Sequence, residues 1–450
     1  MAFWTIKRGS RAKSILGWVL VAHSVYAVSA SFLYGSILIW GFLLAWAIPV
    51  ALDPKSFRVS VSDLIVFALP FLALASTAWS LHPEVTFRGA SQYFVTVGIA
   101  LIAAQIAGPR TIVSGVLTGS MAVVFHSLAY SILYEPDAAR MSGIFGSPNQ
   151  LGLVASLGSL SGLILVMGYD QPGGRRRATI ACVIISALTL NATGSITSIV
   201  SLVTALSTIL IIRYMSTVSK MYRRAVMPWL VMAGGATVGL LMLLLPRFDV
   251  FSFVGRNETL TGRTELWDVG LDVVSERSAL GVGYQAFWVE GNADAERLWA
   301  AFDIEHKAGF HFHNFYVQLL VDLGMVGFVV FGVMIASLLI RIGLPLLSDR
   351  IPRRSLVYVP VTVLFLVRSA SEVDFFGPFS IGTILVFLVA FQSMRKVRDG
   401  GPRSGAVRGA SRRDVPGWAP PRIGARRTAG KGISLKFRWW RGHRGARSRT

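Results

Sequence analysis

The sequence predicts an all-α integral membrane protein of about twelve transmembrane helices with one large outer loop, and three observations carry that prediction. Hydrophobic residues make up 53% of the chain and charged residues 15%, against roughly 25% charged in an ordinary soluble domain. Apolar runs of membrane-spanning length recur along the sequence. Basic residues gather in alternate connections between them, as the retention of Lys and Arg on the cytoplasmic side requires.

A hydrocarbon core of about 30 Å calls for about 20 apolar residues per helix. Runs of that kind occupy 15–33, 36–52, 61–80, 91–107, 111–134, 149–168, 178–192, 194–212, 226–245, 314–340, 355–373 and 376–394. Only a short turn at Tyr34-Gly35 separates the first two. The unbroken apolar stretch from Ala178 to Ile212 would be roughly 52 Å long as one helix. It therefore has to break, and Asn191-Ala192-Thr193-Gly194 offers the place. The domain plan that follows is membrane helices over 1–245, an outer loop over 246–313, further membrane helices over 314–394, and a basic cytoplasmic tail over 395–450.

With the N-terminus inside, 35 of the 44 Lys and Arg residues fall in inner segments, 17 of them in the tail. The rest lie at or near the outer face: Arg88, Arg140, Arg247, Arg256, Arg263, Arg277, Arg297, Lys307 and Arg368. Both termini are thus expected in the cytoplasm, with an uncleaved first helix. The tail carries 17 basic and 2 acidic side chains without helical or strand periodicity. Its composition reads as disordered and attracted to the anionic inner leaflet rather than to nucleic acid. Cys182 is the only cysteine, so an intramolecular disulfide and a cysteine-based metal site are excluded.

The outer loop holds 11 acidic and 6 basic side chains in 68 residues, and loops of that length in compact proteins are usually functional. Leu266, Val269, Val273 and Val274 recur at helical spacing, which predicts an amphipathic helix over 263–276. Leu280-Gly281-Val282-Gly283 follows as a stop, because its glycines do not sustain a helix.

Several residues could carry chemistry. Arg263 falls in the first turn of the loop helix, where the helix dipole disfavours a cation. A phosphate would repay that position, since guanidinium forks and helix N-terminal amides share the same anion; an ion pair with Glu265 or Asp268 is the equal alternative. His313 closes His311-Phe312-His313-Asn314 at the start of the tenth run. There it reads as an interfacial or capping residue or as a proton acceptor for a hydroxyl nucleophile. Zinc binding by His306, His311 and His313 is not expected, because no thiolate is near and the spacing is weak. Arg140 precedes a turn-rich segment ending at Asn149, and a second outer arginine would let two cations share a diphosphate. Arg368 and Glu372 stand four apart, which suggests an ion pair within the eleventh run, and Asp322 needs a partner that Arg368 could supply. Gly115 with Gly119, Gly158 with Gly162 and Gly235 with Gly239 read as helix-packing pairs. Gly281-Val282-Gly283 is too short for a nucleotide-binding fingerprint.

Four ordered segments resemble the O-antigen ligase and polymerase superfamily of bacterial envelopes: Thr261-Gly262-Arg263-Thr264-Glu265-Leu266-Trp267, Leu280 to Trp288, His313-Asn314-Phe315-Tyr316, and Leu323-Gly324-Met325-Val326-Gly327. Their form is similar to succinoglycan-type exopolysaccharide polymerases. The resemblance implies a fold like that of lipid-dependent (GT-C-like) membrane glycosyltransferases, set in the bacterial inner membrane with the loop in the periplasm. It implies a donor glycan on undecaprenyl diphosphate, a sugar or lipid-linked glycan as acceptor, and no cofactor or metal. His313 and Arg263 would then be catalytic, with Arg140, Asn149, Arg256, Asn314, Arg368 and Glu372 binding substrate. Ile196 is a departure, since relatives carry a basic residue there, and Arg368 or Arg256 would have to substitute. Polymerisation of repeat units is the expected activity, compatible with a partner that regulates chain length. Ligation to lipid A core is the alternative within the superfamily. A transporter of lipid-linked sugars is the alternative from another class, but such proteins set their sites near the midplane in repeated broken helices.

Overall fold

The computed structural model describes residues 10–244, 260–304, 307 and 309–395, and no strand occurs among them. Fourteen α-helices follow in order: α1 (Ser10–Tyr34), α2 (Ser36–Leu52), α3 (Asp63–Ala75), α4 (Pro83–Ile106), α5 (Pro109–Tyr134), α6 (Pro148–Gly168), α7 (Gly173–Thr193), α8 (Ile196–Thr217), α9 (Lys220–Leu244), α10 (Leu260–Glu276), α11 (Ala293–Ala301), α12 (Phe315–Gly343), α13 (Ser355–Arg368) and α14 (Ile381–Met394). Six helices are long and apolar enough to cross a membrane, namely α1, α4, α5, α6, α8 and α12. Shorter apolar helices, α2, α3, α13 and α14, complete the bundle. The described residues are thus those of a multi-pass membrane protein whose regular structure is helical. Arg256, His306 and nearly all of the basic tail lie outside the described residues.

The two expected breaks are made by glycines. α1 ends at Tyr34, and Gly35 takes φ 70° before α2 starts. α7 ends at Thr193, where Gly194 adopts a left-handed C-cap at φ 57°, the conformation a residue without Cβ enters most cheaply. α8 then restarts with the Ser195 side chain accepting from the Ser198 amide.

Small residues let the first helices approach closely. A methyl group at Gly119 would fall 2.5 Å from the Ala22 carbonyl, and one at Gly115 would fall 2.8 Å from the Val21 side chain, so α5 lies directly on α1. Gly158 and Gly162 likewise meet Ser186 and Val183 of α7. Gly235 meets nothing within 4 Å, so the third packing pair is not used on the described side. α14 is buried on nearly every side, which suits a helix that is apolar all round.

The described residues between 260 and 313 fold as a small cap on α12. Its core joins Leu266 and Val269 of α10, Val282 and Phe287, Leu298 and Trp299 of α11, and Phe312 with Val317 and Val321. The amphipathic helix α10 was anticipated; α11 was not. Asn292 caps α11 by accepting from the Asp294 amide, and Asp294 and Glu296 sit in its first turn. That is a standard start signal, obscured by the helix's short length.

α12 is broken inside its apolar run. Gly324 stands at φ 62° and ψ −162°, and the segment 278–283 threads into the gap. The Val282 and Gly283 amides donate to the Val321 and Asp322 carbonyls at 2.9 and 3.0 Å, and Met325 and Val326 donate back to Ser278 and Ala279 at 2.8 and 3.1 Å. The loop thereby satisfies the backbone groups the break exposes, a requirement for any non-helical backbone at membrane depth. Gly281-Val282-Gly283 is therefore a clamp on a helix.

Two expected charge pairs are corrected. Asp322 accepts from Gln318 Nε2 at 3.0 Å and the Gln285 amide at 3.2 Å, with no help from Arg368. Arg368 is fully buried and holds Asp374 through Nε and Nη2, while its Nη1 donates to Ser198 Oγ at 2.6 Å. The Glu372 side chain is not its hydrogen-bonded partner: the Glu372 amide donates to the Arg368 carbonyl at 2.8 Å, but the carboxylate is engaged by Asn149 and Arg263 instead.

Candidate functional site

The ends of five helices meet at one place. α6 brings Asn149 in its first turn, α8 its cap Ser195, α10 Arg263, and α12 the residues His313 and Asn314 just before it. α13 delivers the segment 369–374 past its last residue. Four of these ends are N-termini, so their amides and dipoles make the region favourable for an anion.

Glu372 is the hub. It is 1% exposed. Its Oε1 accepts from Asn149 Nδ2 at 2.9 Å and lies 3.6 Å from Arg263 Nη2. Its Oε2 lies 3.7 Å from His313 Nδ1, too far for a hydrogen bond. The Arg263 and His313 side chains remain 25% and 28% exposed. A closed carboxylate thus holds the inner sides of a guanidinium and an imidazole whose outer parts stay open. Arg263 also donates to the Ser371 carbonyl at 3.3 Å, and the Ser371 hydroxyl donates to Thr197 at 3.1 Å. The alternative pairing of Arg263 with Glu265 or Asp268 is replaced by these contacts.

His313 adopts φ 50°, a left-handed conformation that is uncommon away from glycine and recurs at functional positions. Its backbone amide donates to His311 Nδ1 at 3.0 Å, and the two ring centroids are 4.3 Å apart. That nitrogen of His311 is therefore an acceptor and its ring is neutral. Burial, the neighbouring His313 and Arg263 push the His311 pKa down to about 3, against the pull of Glu372.

The remaining sequence candidates are placed as follows. Asn149 bridges Glu372 to α8, since its Oδ1 accepts from Ser195 Oγ at 2.9 Å. Asn314 is 6% exposed and caps α12 by accepting from the Tyr316 and Val317 amides. Arg140 Nε donates to the Thr193 carbonyl at 3.0 Å, which seats the 140–149 segment on the α7–α8 turn. Arg368 sits beneath the site, closed between Ser198 and Asp374, with no face toward the opening. The parts played by Ser195 and Ser198 were not foreseen, and the Ser-rich start of α8 is the signal that marks them.

His311, His313 and Glu372 each offer a donor atom within 4.8 Å of the others. Arg263 and Asn149 already engage the same carboxylate, and a guanidinium at 3.6 Å opposes a further cation there. As arranged, the three side chains fit the orientation of an imidazole by a carboxylate better than a metal cage.

Residues 181–332 match a protein-family model described as O-antigen ligase. The chain is also 29% identical to the exopolysaccharide production protein ExoQ of Rhizobium meliloti (strain 1021) over 384 residues, covering 84% of this chain and 88% of the relative. Arg263, His313 and the Gly324 break all lie within the matched stretch. Both similarities bear out the resemblance read from the motifs, that of a polysaccharide-related membrane enzyme.

Proposed function

We propose that this chain, similar as it is to the O-antigen ligase family, is a membrane glycosyltransferase that moves a glycan from undecaprenyl diphosphate to a sugar hydroxyl at the periplasmic face of the inner membrane. The observation that carries the reading is the Arg263–Glu372–His313 constellation at converging helix N-termini. Twelve membrane passes, with the cap outside and the basic tail inside, complete the topology of the proposal. The relative's name, an exopolysaccharide production protein, supports exopolysaccharide repeat units as the glycan of the proposal, with their polymerisation as its preferred form and ligation to lipid A core as the alternative.

Each group has a role in a single displacement. Glu372 faces His313 Nδ1 and orients the ring, leaving Nε2 for the acceptor hydroxyl. The hydroxyl oxygen bonds to C1 of the donor sugar as the bond from C1 to the diphosphate breaks. The hydroxyl proton passes to His313, and the electron pair leaves with undecaprenyl diphosphate. Arg263 and the helix N-termini stabilise the negative charge on that leaving group. Arg140 joins them where the 140–149 segment reaches the donor. One displacement inverts the anomeric centre, so a retained configuration in the product would contradict this mechanism.

The test uses purified protein, lipid-diphosphate-linked glycan from the source cells and EDTA, read as a glycan ladder on a gel. Wild type is expected to lengthen the glycan, and Arg263→Ala and His313→Ala to lose that activity while staying folded. Transfer to lipid A core without chain growth would redirect the reading to ligation. Movement of lipid-linked repeats across proteoliposomes without elongation would replace it with transport.

A further inference from the structure

A cluster of aromatic rings adjoins His313. Phe287 and Phe312 are fully buried and form its base. Trp288 packs on both, with ring centroids 4.8 Å from each, and its indole lies 3.4 Å from the Gln318 side-chain oxygen. Phe310 stands edge-on to Trp288 at 4.8 Å and edge-on to His313 at 5.9 Å. Trp267 fixes the same stretch from the other side by donating to the Phe312 carbonyl at 2.8 Å.

The purpose of burying apolar rings would be served by Phe287 and Phe312 alone. Trp288 and Phe310 instead stay partly open, and they do so next to an imidazole that is also partly open. Trp288 packs on Phe287, Phe312 and Trp299, and Phe310 packs on Trp288, so the rings are placed before a ligand binds. A surface of this kind, an aromatic face beside a proton acceptor, fits a ligand with an apolar flank and a polar rim. A pyranose ring has that make-up, with C–H bonds on its faces and hydroxyls around its edge. Arg263 and the helix N-termini supply charge for the diphosphate, whereas the rings supply none.

We infer that Trp288 and Phe310 form the acceptor sugar subsite, stacking a pyranose ring so that one of its hydroxyls meets His313. The inference rests on the glycosyltransferase reading and adds to it the residues that select the acceptor. Phe310 and Trp288 bind the acceptor; they have no part in proton transfer or in holding the donor.

The probe is the oligosaccharide released by mild acid from the polysaccharide of the source cells. Its contact with detergent-solubilised full-length protein is read by saturation-transfer difference NMR. Wild type and His313→Ala are expected to give transfer to the sugar ring C–H protons. Phe310→Leu and Trp288→Leu should lose most of that signal with unchanged circular dichroism, and Phe310→Tyr should restore it. In the elongation assay the two leucine variants should raise the acceptor KM about tenfold and leave the donor KM unchanged. Wild-type elongation with KM and transfer signals indifferent to both leucine substitutions would overturn the subsite and leave the proposed function standing. Sugar binding that needs both rings, in a protein that elongates nothing, would leave the subsite standing and overturn the proposed function.

Discussion

Glu372 and Arg368 are both buried charges within a few residues of one another, yet they do different work, and substitution separates them. Glu372 touches the two half-open groups, so Glu372→Gln should leave the fold intact and lower kcat on the order of 100-fold, the range in which an oriented acid–base group contributes. The Arg368 guanidinium hydrogen-bonds Asp374 and Ser198. Arg368→Leu strands a buried carboxylate and should cost about 3–5 kcal/mol of stability, read as a lower thermal midpoint in detergent whether or not substrate is present. His311 provides a third case. Its pKa of about 3 lies below the ordinary 6.5, so between those values the unfolded chain binds a proton that the native chain does not. Stability then rises with pH through that window and the contribution is flat above it. Cooling of the midpoint from about pH 7 to about pH 5 should be smaller in His311→Gln than in wild type, and equal slopes would show that His311 is not held neutral. Arg263 and His313 were legible in the sequence because residue type and helix position already made them unusual. Their shared partner was not, because a four-residue spacing assigned Glu372 to Arg368. Asp374, two residues further on, takes the Arg368 guanidinium instead, and the Glu372 carboxylate meets Asn149 and Arg263.

Elements were legible to the extent that hydropathy sets them. The apolar runs and both glycine breaks follow from length against bilayer thickness and from the residue at each break. The interruption of α12 escaped that logic, since the run stays apolar enough to be read as one helix across Gly324 in spite of Asp322. What breaks this helix is a tertiary event, the insertion of 278–283, and only the glycines on both strands of the contact hint at it. A Cβ at Gly324 would collide with the Ala279 carbonyl, and one at Gly281 would fall 2.5 Å from the Val321 carbonyl. Both positions also have positive φ, 62° and 68°. Gly324→Ala and Gly281→Ala are each expected to lose about 1–3 kcal/mol or more. Because the clamp ties the cap to α12 just below His313, elongation should fall in the same variants at temperatures where they remain folded. Gly235→Ala, with nothing within 4 Å of its Cβ, should change neither quantity. A clamp without function would give unfolding in the first two variants with full activity below the midpoint.

At the scale of the molecule, charge and chemistry occupy opposite ends of the same helices. α8 and α12 start at the site and run to Arg213 and Arg341, while α13 starts beside Arg353 and Arg354 and ends at the site. The far end is knitted together by its own contacts. Arg110 donates to the Asp170 carbonyl at 3.2 Å, Arg353 lies 3.8 Å from the Asp170 carboxylate, and Arg223 reaches the carbonyls of Met215, Ser348 and Asp349. Basic residues are retained on the cytoplasmic side during insertion, so the proposed topology puts this end inside and the Glu372 hub outside. The orientation matters to the proposed chemistry, because a site facing the cytoplasm would meet lipid-linked glycans before they cross the membrane. The single cysteine makes it directly testable. On a Cys182→Ser background, cysteines placed at Glu290 or Asp294 in the cap should react with a membrane-impermeant maleimide in intact spheroplasts. Cysteines placed at Arg175 or Arg224 should react only after the membrane is opened. The reverse pattern would turn the molecule over and remove the periplasmic glycosyltransferase reading with it. Labelling of both sets in intact spheroplasts would mean that α9 does not cross, which would reduce the twelve passes while leaving the six long helices in place.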